Sequence, residues 1–147
     1  MAVDETFDVQ DFLPYLLNQA ADASSIGFQR YYKSRYGMLR TEWRVLFHLG
    51  RYGALTATDI CSRARIHKTK VSRAVSALEQ KRFLTRTAVP SDRRHETLTL
   101  TPKGAAAYAD LREEAQRYDA ALMAHVPPEH RETLRACLVR IAALAAD

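Results

Sequence analysis

The sequence lacks the features that mark several large classes of protein. No apolar run approaches the roughly 18 residues that a membrane-spanning helix needs. The start of the chain is acidic, with Asp4, Glu5, Asp8 and Asp11, whereas a secretory signal peptide begins with basic residues. We therefore expect a cytoplasmic protein with no membrane partner.

Residue patterns typical of enzymes and metal sites are also missing. The two cysteines, Cys61 and Cys137, are far apart and form no CxxC pair, and their apolar helical surroundings predict small buried residues. The five histidines show no ligand spacing such as HExxH, and the five glycines form no phosphate-binding loop. The sequence therefore predicts no catalysis, no metal and no cofactor.

Positive charge is concentrated in one part of the chain. The segment from Arg63 to Lys103 contains eleven Lys and Arg and three acidic residues, a net charge of +8, while the whole chain carries +5. Such a surface neutralises phosphates and releases counterions, which gives sequence-independent affinity for DNA. Charge alone would equally suit RNA or an acidic membrane surface.

The same segment has the outline of a motif that reads duplex DNA. Thr56, with Asp59 three residues later, predicts the capped start of a short helix. After a turn at 64–67, apolar residues recur at i, i+3, i+4 and i+7 and predict a second helix: Val71, Ala74, Val75 and Leu78. Strands are predicted at 83–89 and 95–100, joined by a basic loop at 90–94. Two short helices and a basic hairpin form a winged helix-turn-helix.

The polar face of that second helix suits the major groove. It carries hydroxylated, small or long cationic side chains: Thr69, Lys70, Arg73, Ser76 and Ala77. Arg and Lys can donate to guanine, and small residues allow close approach to the bases. An ordinary solvated helix face is the alternative, and the basic hairpin that follows favours DNA.

Longer helices are predicted on both sides of this segment. Helical spacing indicates a helix from Asp11 to about Arg35 that stops at Gly37. A short helix over 42–49 follows, with Thr41 as its N-cap and Gly50 as its end. Pro102 begins a helix that runs to about 125, and a last helix begins at 129 and carries an apolar seam. The first and last helices are expected to pack against a second copy of the chain.

Several fragments occur together in one order: LRTEWRVL at 39–46, TATDI at 56–60, VSRAVSALE at 71–79, DRR at 92–94 and LTLTPKG at 98–104. In this order and spacing they resemble the MarR family of bacterial transcription regulators, over nearly the whole chain. The resemblance implies a mainly α fold with a small antiparallel β wing. A winged helix-turn-helix DNA-binding domain would span 38–103, and a helical dimerisation domain would combine 1–37 with 104–147.

The resemblance also implies how the chain meets DNA. A homodimer would bind a pseudo-palindromic operator with its half-sites about one helical turn apart. Thr69, Lys70 and Arg73 would face base edges, and Ser72 would hold a phosphate. The residues predicted to bind DNA are Lys68, Thr69, Lys70, Ser72, Arg73, Ser76, Arg82, Arg86, Arg93 and Arg94.

The wing residues Arg93 and Arg94 resemble the family pair that serves the minor groove. One of them would enter a narrow A·T-rich groove, where negative potential is concentrated, and the other would pair with Asp92 to brace the loop. Which arginine does which is left open. The alternative is a hairpin salt bridge with no role in DNA binding.

Position 82 departs from the family pattern. Relatives commonly have glycine after the recognition helix, which is the second helix of the motif, where this chain has Arg82. If the backbone there needs a positive φ, a residue with a Cβ is strained. Either the turn is built differently, or Arg82 accepts the strain and gains a phosphate contact.

Many relatives respond to small aromatic or anionic molecules bound between the dimerisation helices and the DNA-binding lobe. The candidate effector pocket here is Tyr32, Tyr36, Trp43, Phe47 and His48, and the alternative for each is a place in the core. The predicted dimerisation residues are Phe12, Leu16, Leu134, Leu138 and Ile141. The expected function is that of a repressor released by a small molecule. A winged-helix module for protein contacts, without specific DNA binding, is the alternative.

Overall fold

The computed structural model describes residues 2–146 of the chain, except for the side chains of residues 93, 94, 145 and 146. The helices and strands in this part are α1 (Leu13–Tyr36), α2 (Arg40–Tyr52), β1 (Leu55–Thr56), α3 (Ala57–Ala64), α4 (Lys68–Gln80), β2 (Leu84–Val89), β3 (Asp92–Leu100), α5 (Pro102–Met123) and α6 (Pro128–Ala142). Short 3-10 helices lie at Val9–Asp11 and Ala143–Ala146. The predicted fold, mainly helical with a small antiparallel wing, is confirmed.

The three strands form one antiparallel sheet in the order β1-β3-β2. On β3, Leu98 pairs with Leu55 of β1, and Leu100 pairs with Leu84 of β2. Leu84 and Leu98 are buried on the side that faces the helices. The sheet therefore joins the wing to the helical core.

The wing hairpin is tighter than the sequence predicted. The loop was expected to span 90–94, but β3 already begins at Asp92, so Pro90 and Ser91 alone form the turn. A shift of register between Ala88 and Val89 brings Val89 opposite Asp92 and extends the ladder to the tip.

One apolar core connects α1, α2, α3, α4, the sheet and the start of α5. Its most deeply buried members are Met38, Val45, Leu46, Ile60, Val71, Val75, Leu78, Leu84, Leu98 and Leu111. The predicted apolar face of α4 is confirmed, because Val71, Ala74, Val75 and Leu78 are all buried. Because that face is buried, the opposite side of α4 is the side that a ligand can reach.

The predicted boundaries of α2 are wrong at both ends. Its N-cap is Leu39 rather than Thr41, and the Glu42 carboxylate accepts the Leu39 backbone N–H at 3.0 Å. Gly50 lies inside the helix, which ends at Gly53 with φ 80°. An added Cβ at Gly50 would lie 2.4 Å from the Tyr108 ring, so this glycine makes room for α5 rather than ending the helix.

The two ends of the chain are largely exposed. The first helix begins at Leu13 rather than at Asp11, which belongs to a separate 3-10 helix, and it stops at Gly37 as predicted. Among the residues of α6, none is buried, and Cys137 is exposed rather than buried as predicted. Within residues 2–146, none of the helices combines the length and the hydropathy that spanning a bilayer requires.

Candidate nucleic-acid interface

The helix-turn-helix begins with the predicted capping box. Thr56 Oγ1 accepts the Asp59 backbone N–H at 3.1 Å, and the Asp59 carboxylate accepts the Thr56 N–H at 3.0 Å. The bond from the Thr56 backbone holds the pKa of Asp59 below its usual value. His67 caps the next helix, since its Nδ1 accepts the Thr69 N–H at 3.2 Å. His67 was not predicted as a cap, because histidine is not one of the common capping residues.

Helix α4 presents its polar side to solvent. Lys68, Thr69, Lys70, Ser72 and Arg73 are all exposed, in agreement with the side predicted to face DNA. Lys70 and Arg73 also border a shallow groove between α4 and the start of α2, which Ala74 and Ala77 floor. Exposed cations together with short side chains such as Thr69 and Ser72 allow an inserted helix to approach base edges closely.

The end of α4 explains the departure at position 82. Phe83 N–H donates to the Leu78 carbonyl and Arg82 N–H to the Glu79 carbonyl, both at 2.9 Å, which is the Schellman pattern. Arg82 occupies the left-handed position of that motif with φ 65°. The turn is therefore built as in a glycine-containing chain, and Arg82 bears the strain that its Cβ introduces.

Replacement of Arg82 by glycine is expected to stabilise the fold by about 1 kcal/mol, because relief of left-handed strain exceeds the added freedom of the unfolded chain. Urea unfolding at a fixed protein concentration measures this. Arg82→Ala is the matched control, since it removes the guanidinium but keeps the Cβ, and its stability should not rise. Equal stabilities of the two variants would contradict the explanation, and a shared loss of DNA affinity would identify the phosphate contact.

Arg86 on β2 binds other residues of the winged lobe, which comprises α2, α3, α4 and the three strands. Its Nη2 donates to Ser76 Oγ at 3.1 Å and its Nε to Glu79 at 3.2 Å, both on α4. Its Nη1 donates to Glu96 on β3 at 3.3 Å. One guanidinium thus joins the recognition helix to both wing strands. Arg86 and Ser76 were predicted to contact DNA, and that role stays a prediction, but here each also helps to fix the wing against α4.

The wing tip is described only in part. The side chains of Arg93 and Arg94, the residues predicted to serve the minor groove, lie outside the described residues. Asp92 is half-buried, and its Oδ2 lies 3.6 Å from His95 Nε2. The predicted pairing of Asp92 with one of the two arginines stays a prediction.

The winged segment matches a known family. Residues 36–95 fit the model of the MarR family, and this stretch contains the whole helix-turn-helix, the exposed side of α4 and most of the wing. Over these residues the chain is similar to the MarR family.

Solved structures show the same fold along nearly the whole chain. PcaV from Streptomyces coelicolor, in complex with its natural ligand, is 20% identical with a TM-score of 0.83 and full coverage of both chains. Bordetella bronchiseptica BpsR, whose DNA binding is regulated by 6-hydroxynicotinic acid, is 22% identical with a TM-score of 0.80, covering 88% of this chain and 98% of that one. NadR in complex with 4-hydroxyphenylacetate is 22% identical with a TM-score of 0.71, covering 97% and 98%. A search of curated proteins found no match.

Three of the five candidate effector residues lie together. Rings of Tyr32, Trp43 and Phe47 follow one another with centroids 5.9 and 5.1 Å apart, between α1 and α2. Tyr32 is buried, which raises the pKa of its hydroxyl. Phe47 also contacts Tyr108 on α5, so the row of rings reaches from the first helix to the fifth.

The other two candidates have different neighbours. Tyr36 donates to the Asp110 carboxylate at 2.5 Å, and burial together with this bond raises the pKa of the Tyr36 hydroxyl. Donation by Tyr36 also holds the pKa of Asp110 below its usual value. The His48 Nδ1 lies 2.7 Å from the Arg44 carbonyl. The structure therefore brings Tyr32, Trp43 and Phe47 together and gives Tyr36 and His48 other partners.

Proposed function

We propose that this chain is a DNA-binding transcription regulator of the MarR family, a homodimeric repressor that binds a pseudo-palindromic operator and is released by a small aromatic acid. The observation that carries the proposal is the exposed side of α4. Its cations and hydroxyls stand beside the basic wing, in a segment of net charge +8. Insertion of α4 in the major groove would place the wing near the backbone or the minor groove.

The dimer is supported by apolar surface at the two chain ends. The predicted dimerisation residues Phe12, Leu16, Leu134 and Leu138 are between 37% and 41% exposed in the single chain. Leu134, Leu138 and Ile141 follow one another at i, i+4 and i+7 and share one side of α6. A seam of this kind, together with exposed residues of the first helix, is the surface that a second copy would cover.

The effector class is supported by the similar structures and by the aromatic row. The ligands named for BpsR and NadR are both hydroxylated aromatic acids. In this chain the rings of Tyr32, Trp43 and Phe47 pack against one another between α1, α2 and α5. An acid that separated these rings would disturb the packing between α1 and the winged lobe and so change the placement of α4.

Arg73→Ala is expected to weaken binding to the operator by about tenfold or more, because one bidentate contact to a base contributes roughly 1–3 kcal/mol. Non-specific binding should fall much less, by the loss of one charge. Titrations with operator and scrambled duplexes measure both. Equal losses on the two duplexes would remove Arg73 from base readout.

Selection of sites from a random duplex pool with purified protein tests the function as a whole. The expected result is an inverted repeat, bound with an affinity that falls steeply as salt rises, since each neutralised phosphate releases counterions. Candidate aromatic acids would then be added to the complex, and release of the DNA would support the effector role. Failure to enrich any site, or binding insensitive to salt, would contradict the proposal and favour a protein-contact module.

A further inference from the structure

One carboxylate lies inside the winged lobe, where charged groups are usually excluded. Among the residues whose burial is described, Glu42 is the charged residue that is buried, with 3% exposure. It lies in the first turn of α2, and its Oε1 is 2.5 Å from Lys81 Nζ. Its second oxygen accepts the Leu39 backbone N–H at 3.0 Å. Both carboxylate oxygens therefore have partners on two different parts of the chain.

Lys81 extends this cluster to the helices outside the winged lobe. It is the C-cap of α4, and its Nζ donates to the Gly37 carbonyl at the end of α1 at 2.7 Å. Its own carbonyl accepts from Lys103 Nζ, at the start of α5, at 3.0 Å. The end of the recognition helix is thus tied to the end of α1, the start of α2 and the start of α5.

An ion pair of this kind fixes the relative orientation of the two segments that it joins more than it stabilises the fold. Glu42 is taken out of water and Lys81 keeps about a third of its exposure, so the cost of removing water offsets part of their attraction, and apolar residues of the same size often stabilise a fold as well. Charged hydrogen bonds, by contrast, hold their partners within a narrow geometry. Two residues in the left-handed conformation adjoin the pair. Gly37, with φ 64°, accepts from Lys81 Nζ, and Arg82, with φ 65°, directly follows Lys81 in the chain.

We propose that Glu42 and Lys81 are positioning residues that set the angle of α4 relative to α1, and thereby the separation of half-sites that the dimer accepts. The inference rests on the proposed function, because α1 contributes to the dimer and α4 reads each half-site. Rigid attachment of α4 to α1 gives the dimer a fixed distance between its two recognition helices, and a loose attachment gives it a range of distances.

The test uses Lys81→Met, which keeps the length of the side chain and removes the ammonium, and Glu42→Gln, which keeps an acceptor for Leu39. Lys33→Met is the matched control, since Lys33 is exposed near the end of α1. Affinities are measured for the selected operator and for duplexes with the half-sites moved by about one or two base pairs either way. Lys81→Arg, which restores a cation, is the rescue variant.

The wild type and Lys33→Met should prefer one spacing by about tenfold or more. Lys81→Met and Glu42→Gln should bind the best spacing less tightly and show less than about threefold preference among spacings, while binding a single half-site within about twofold of the wild type. Lys81→Arg should recover at least part of the preference. A preference unchanged in both Lys81→Met and Glu42→Gln would overturn the inference alone.

The outcomes also separate this inference from the proposed function. If the wild type shows no preferred spacing, or sediments as a monomer, the operator-binding dimer fails and the inference falls with it. If the variants lose half-site binding and spacing preference together, the pair maintains the recognition helix itself and the positioning role is wrong. Circular dichroism and sedimentation of each variant identify folded dimers before DNA is added.

Discussion

A chain with Leu138→Asp and Ile141→Asp is expected to sediment as a monomer and to lose operator affinity by about 100-fold or more. Both residues lie on the apolar side of α6, and two carboxylates facing their copies would meet like charge in a surface that has to exclude water. Loss of the dimer removes the second recognition helix from the same binding event, and the advantage of joined sites is typically about 10²–10⁴. Sedimentation and titration of the operator measure the two effects.

The opposite side of α6 provides a matched control. Ala136 lies about 200° around the helix from the centre of the seam, and Ala143 follows it seven residues later. Ala136→Asp together with Ala143→Asp adds the same two charges, and this chain should remain a dimer and bind the operator. If the Leu138 and Ile141 variant still sediments as a dimer, the C-terminal seam is not the interface.

Local patterns in the sequence predicted the parts of the fold that local contacts determine. The capping box at Thr56 and the apolar stripe around Val71 both depend on residues three or four positions apart, so periodicity alone could identify them. Gly50 was misinterpreted because its role is to admit the Tyr108 ring, and that ring is far away in sequence. A glycine near the end of a helical pattern carries no mark that separates these two roles.

The candidate site shows the same division. The exposed face of α4 follows from its buried face, so Lys70 and Arg73 could be placed correctly from their spacing. The partners of Arg86 lie on α4 and β3. They could not be predicted, because the sequence shows that residue 86 is a cation but not what it pairs with. The Glu42–Lys81 pair joins residues 39 positions apart. Pairings over such distances depend on tertiary packing, which a single sequence does not reveal.

Gly104→Ala is expected to destabilise the fold by about 3 kcal/mol, near the upper end for overpacked sites. Gly104 lies in the first turn of α5, and an added Cβ would be 1.9 Å from the Phe83 carbonyl oxygen and 2.9 Å from its carbon. Backbone atoms cannot rotate away as a side chain can, so α5 or the start of the wing has to move. Phe83 O also accepts the Thr101 N–H at 3.0 Å, so the displacement would strain the contact that fixes the start of α5.

Gly37→Ala separates steric overlap from loss of glycine's freedom. Gly37 has φ 64°, but nothing lies within 4 Å of the position that its Cβ would occupy. Its replacement should cost only the left-handed strain, roughly 1 kcal/mol. Both variants are compared by urea unfolding at one protein concentration, because the stability of a dimer depends on concentration. A loss at Gly104 no larger than at Gly37 would mean that α5 does not press on Phe83. A larger loss would show that close contact between α5 and the end of α4 holds α4 in place, a contact that the bond from Lys103 Nζ to the Lys81 carbonyl reinforces.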